Sequence, residues 1–181
     1  RRLDVHDTVN GLVLLRGGKT LAALTCSHLS AEKVDLTLWN TESGTCGKPI
    51  TMEGHTYPDH FIPHQRTLAL SPDGKLLAIA LGRRLYDPAE VVIWDVQKNE
   101  SVRTIDVPSG PPTWVSFSSD GMELAIAAWS CLSIADVASG QIKFPSWEMY
   151  AAAVEGLPGR SRLFVGGPSK MRSVCLLDPS K

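Results

Sequence analysis

Three stretches of the chain share one layout, an apolar run, a tight turn carrying Gly and a second apolar run. That recurrence constrains the fold more than any other feature. The stretches are "LVLLRGGKTLAALTC" at 12–26, "LALSPDGKLLAIALG" at 68–82 and "VSFSSDGMELAIAAW" at 115–129. Each leads into a further β-type run that ends in a recognisable way: "LTLWN" at 36–40, "VVIWD" at 91–95 and "LSIAD" at 132–136, with "VCLLD" at 174–178 closing a fourth, looser unit. Measured on Trp39, Trp94, Ala135 and Leu177, the intervals are 55, 41 and 42 residues. The long interval becomes ordinary once the inserted segment "GHTYPDHFIPHQ" at 54–65 is set aside.

A period of roughly 40–45 residues built only from strands and turns is that of a four-stranded propeller blade. Gly sits in each turn ("RGGK", "SPDGK", "SSDGM", "LPGRS") because it alone takes positive φ without steric cost. Leu76 to Leu81 and Leu124 to Ala128 are nearly continuous apolar runs, so both faces of their sheets must be covered. Sheets stacked around an axis meet that demand. The expectation is an all-β β-propeller of about four four-stranded antiparallel blades. Residues 1–10 read as the last strand of a preceding blade, 11–53 as a blade, 54–107 as a blade with the inserted loop, 108–147 as a blade and 148–181 as an incomplete one. Sixteen strands in all could close a four-bladed ring, but the expectation is a fragment of a larger wheel of about seven blades.

The units resemble WD repeats. The likeness rests on "SPDGKLLA" followed by "VVIWDV", on Gly54-His55 ahead of the second unit, and on "WNTESG" in place of the usual Trp-Asp. It implies a propeller whose function is protein–protein interaction. The repeats are degenerate. The hydrogen-bonded set that marks a well-formed WD repeat finds candidates only in the first unit, at His6, Thr25 and Trp39, while the second has Leu81 and the third Ala128 and Ala135 at the matching positions. Apolar packing must therefore hold those units.

Eighteen Lys and Arg against nineteen Asp and Glu give a net charge of −1, which disfavours nucleic acid as a partner. No run of roughly 18 apolar residues is present, so no membrane span is expected within this segment. Cys26, Cys46, Cys131 and Cys175 form neither a C-x-x-C pair nor a zinc-finger spacing, and a reducing, cytoplasmic compartment is favoured. "RGGKT" at 16–20 lacks the first Gly of a phosphate-binding loop, because residue 13 is Val. Nucleophile elbows, zinc-protease pairs and calcium loops are absent too, so the expectation is a non-catalytic scaffold with no cofactor and no metal.

Reactive side chains concentrate in two segments. One is the insertion, with His55, Tyr57, Asp59, His60 and His64, and the other is "GRRLYDPAE" at 82–90, with Arg83, Arg84 and Tyr86. Loops entering a propeller blade and loops joining its middle strands emerge on one rim. His55, Tyr57, His60, His64, Arg83, Arg84 and Tyr86 are thus the candidate protein-binding face, Arg and Tyr being residue types rich in recognition energy. Two alternatives stand beside the scaffold reading: a regulatory propeller within a larger multidomain enzyme, and a metal- or ligand-binding propeller enzyme using His60 and His64.

Overall fold

A computed structural model describes residues 8–26, 33–53, 67–82, 89–108, 110, 112–128, 131–148, 153–156, 163–166 and 174–177. The first sheet runs β1 (Thr8–Leu15), β2 (Thr20–Cys26), β3 (Lys33–Asn40) and β4 (Ile50–Glu53) in spatial order, and the second runs β5 (Leu68–Leu70), β6 (Leu76–Leu81), β7 (Ala89–Asp95) and β8 (Glu100–Val107). The third is β9 (Pro112–Phe117), β10 (Glu123–Ala128), β11 (Cys131–Asp136) and β12 (Ile142–Glu148). The fourth has three strands among the described residues, β13 (Ala153–Gly156), β14 (Leu163–Gly166) and β15 (Val174–Leu177). Every pairing is antiparallel between consecutive strands. The chain is an all-β succession of propeller blades. Residues 8–10, read from sequence as part of an orphan strand, belong to β1, which continues past a bulge between Val9 and Gly11; residues 1–7 lie outside the described residues.

The repeat is equally plain in the register. Trp39, Trp94, Ala135 and Leu177 stand opposite Leu21, Leu77, Leu124 and Leu163, the same position of each sheet. The first strands neighbour one another in chain order, β1 with β5, β5 with β9 and β9 with β13. At the first seam the backbones come close: Thr67 Oγ1 donates to Asn10 O at 3.1 Å, and a Cβ on Gly11 would lie 2.8 Å from Thr67 Oγ1.

Side chains alternate across a strand with period two, and here that alternation divides the core. Leu77, Ile79 and Leu81 of β6, with Val92 and Trp94 of β7, pack with Leu15, Ala22, Leu24, Val34 and Leu36 of the first sheet. Ala78 and Ala80 of β6, with Val91 and Ile93 of β7, pack with Val115, Phe117, Leu124, Ile126 and Ala128 of the third. The continuous apolar runs of the sequence are thus two interleaved stripes, each buried in a different seam. Each fully buried Leu or Ile contributes about 1.5–3 kcal/mol by leaving water, so the seams hold the stack together. The outer face of β1 lacks such cover: Val9, Leu12 and Leu14 are 42%, 59% and 56% exposed.

Of the hydrogen-bonded set sought in the first repeat, the structure describes only part. Thr25 Oγ1 donates to the Asp35 carbonyl at 3.4 Å, and His6 lies outside the described residues. In the second sheet Trp94 Nε1 is buried with no hydrogen-bond partner among the described residues. Ala128 and Ala135 are both part of the buried apolar cluster.

Candidate interaction surface

At one rim the turns within blades are locked by short polar side chains in repeating geometry. Ser71 Oγ donates to Asp73 Oδ1 at 2.7 Å and accepts from Leu76 N at 2.9 Å, and Lys75 N donates to Asp73 at 3.1 Å. One blade later Ser118, Asp120, Met122 and Glu123 repeat the pattern, with Ser118 Oγ 2.6 Å from Asp120 Oδ1. Gly74 and Gly121 occupy positive φ of 72° and 73° in these turns.

The reversals from third to fourth strand are closed by Asn40, Asp95 and Asp136. Each side chain accepts backbone N–H groups two or three residues on, and each carbonyl accepts the N–H four residues on, from Gly44, Asn99 and Gly140, all at positive φ. Donated hydrogen bonds favour the ionised carboxylate. Asp136 is held at about 2, against an ordinary 3.8, by the Ser139 N–H, then the Ser139 hydroxyl, then Lys143. Asp73 is lowered first by the Ser71 hydroxyl and Asp95 first by the Lys98 N–H. Lys143 is raised by Glu123 and then Asp136, each 3.1 Å from its Nζ.

Where the first two sheets meet at this rim, a cavity of about 290 Å³ opens between Leu15, Arg16, Trp39, Asn40, Cys46 and Val96. Arg16 leads the short 3-10 turn Arg16–Gly18 with φ 50°, and its guanidinium donates to the Val96 carbonyl of the neighbouring sheet at 3.1 Å. The sequence presents "RGGK" as a hairpin turn and gives no sign of this cavity, because the residue that closes it from the second blade, Val96, stands eighty positions from Arg16.

At the opposite rim the described strand ends fix where the decorated segments are anchored. Residues 54–66 return to the sheet at Thr67, whose carbonyl accepts from Ala80 N at 2.8 Å, and residues 83–88 depart just beyond, after Gly82. His55, Tyr57, His60, His64, Arg83, Arg84 and Tyr86 themselves lie outside the described residues. Among the described residues no group of three or more His, Cys, Asp and Glu could hold a metal ion, and no helix is long and apolar enough to cross a membrane.

No protein-family model matches the chain, and no curated protein matches it in sequence. Solved structures do. The hydrazine synthase of Kuenenia stuttgartiensis superposes with a TM-score of 0.69 at 18% identity over 99% of this chain, and a chain of a mitotic checkpoint complex superposes with 0.69 at 20% identity over 98%. At such identity the likeness is one of fold, and the fold is the β-propeller. This chain spans 49% of the length of each.

Proposed function

We propose that the chain is a WD-like propeller segment acting as a non-catalytic protein-interaction scaffold, with its variable loops as the binding surface. The observation that carries this reading is that segments 54–66 and 83–88, which hold the His, Arg and Tyr residues, join one sheet at Thr67 and Gly82, beside the bond from Ala80 N to the Thr67 carbonyl. Binding residues concentrate on loops held by a rigid scaffold. Likeness to a chain found in a mitotic checkpoint complex accords with protein partners. The exposed Val9, Leu12 and Leu14 accord with cover by a further blade in a wheel of about seven.

The test is affinity capture with the native chain and with an Arg83→Glu, Arg84→Glu, Tyr86→Ala triple variant, alongside a thermal melt of each. Partners bound by the native chain and lost by an equally stable variant support the reading. An unchanged partner set removes the assigned face.

A further inference from the structure

We infer that the cavity between the first and second sheets, at the rim opposite the loop segments, is a binding site for an acidic side chain of an extended protein segment. The inference stands apart from the loop-rim reading, since none of its residues belongs to that rim. Size sets the class of occupant. About 290 Å³ lies at the floor of the range for small-molecule pockets, roughly 300–1,000 Å³, and suits one side chain with an apolar neighbour rather than a cofactor.

Charge sets the chemistry. Among the described residues that line it, Arg16 alone is charged and none is acidic. A guanidinium carries five donors in a planar fork that matches a carboxylate through two parallel hydrogen bonds. The bond to the Val96 carbonyl uses one of them and ties the group to the second sheet, so the fork is oriented before any ligand arrives. Arg16 also holds φ 50°, a conformation a non-Gly residue keeps only where its surroundings fix it and one that recurs at ligand clamps. Leu15, Leu38 and Trp39 supply apolar wall beside it, which suits a hydrophobic residue next to the acid. A phosphoryl group, with nearly twice the charge, would be expected to meet more than one cation, which favours the carboxylate.

Cys46 lines the same cavity and is exposed, so it reports occupancy directly. The experiment follows alkylation of Cys46 in the native chain by iodoacetamide, read by mass spectrometry at that residue. Acetyl-Leu-Glu-Leu-amide is the probe, with its Gln and phosphoserine counterparts as comparisons. A single-residue contact has a dissociation constant on the order of 1 mM, so about 3 mM of the Glu peptide should slow alkylation about fourfold. The Gln peptide should leave the rate unchanged, and Arg16→Met, verified as folded by circular dichroism, should abolish protection. Equal protection by the Gln peptide, protection by the phosphoserine peptide at or above that of the Glu peptide, persistence in Arg16→Met, or no protection by any peptide would each overturn the assignment. The peptide comparison needs no variant, so it decides even if Arg16→Met does not fold.

Discussion

Gly11→Ala, combined with Thr67→Ala in a double-mutant cycle, probes the contact that joins the first two blades. A Cβ at position 11 would sit 2.8 Å from Thr67 Oγ1, 3.0 Å from Leu68 Cγ and 3.2 Å from Leu68 Cδ1. The first separation is too short for carbon and oxygen, and both residues of the partner strand are buried. Overpacking of this kind costs about 1–3 kcal/mol, while the gain from replacing Gly at a position with ordinary φ is about 0.4–1 kcal/mol. The single variant should therefore lose about 1–2 kcal/mol. Thr67→Ala alone removes the bond to Asn10 O and should cost about 1 kcal/mol. In the double variant the methyl group enters the space the hydroxyl left, and only Leu68 must adjust. Its loss should fall short of the sum of the singles by at least about 0.5 kcal/mol. Urea unfolding of the four proteins measures each term. Additive losses, or a neutral Gly11→Ala, would mean that β1 and β5 are not in the contact described, and the blade order would have to be redrawn.

Gly74 is at φ 72° with open space where a Cβ would stand, so Gly74→Val should lose about 1–2 kcal/mol through the backbone alone. Lys75→Ala, which removes only an exposed ion pair to Asp73, should stay within about 0.5 kcal/mol; equal melting temperatures would contradict the turn. Ile126→Ala, fully buried in the second seam, should cost about 2–5 kcal/mol in the same urea assay, whereas Val102→Ala on the exposed edge strand should be nearly silent. Asp136 has its folded pKa depressed to about 2 from 3.8, so its stabilisation is present above about pH 4 and is lost as pH falls from there towards 2. Asp73 and Asp95, lowered in the same direction, add to that loss. Asp136→Asn should flatten the acid side of the melting profile, and an unaltered profile would refute the role given to its turn.

The strands and turns were legible because each is specified locally. Gly74 and Gly121 mark reversals that only positive φ permits, and the residues at Trp39, Trp94 and Ala135 mark equal depth in each sheet. The third-to-fourth reversals share a grammar of their own. Asn40, Asp95 and Asp136 are each followed four residues later by Gly44, Asn99 or Gly140, and that spacing encodes both the side-chain cap and the left-handed residue. Two features could not be read in advance. Residues 8–10 join β1 because a bulge lets the strand run on past Gly11, a matter of pairing rather than composition. The cavity at Arg16 is closed on one side by the next blade, and nothing near position 16 announces Val96 as its neighbour. The residues proposed for binding rest on their chemistry and on the common rim that a propeller gives their segments, and only the roots at Thr67 and Gly82 are described.

The splitting of β6 and β7 into alternating stripes has a mechanical corollary. Val92 answers to the sheet before it and Ile93 to the sheet after it, so adjacent letters of the chain serve separate joints. In such a row, disturbance travels only from neighbour to neighbour, and a ligand wedged at one joint would stiffen that joint while leaving the next to breathe as before.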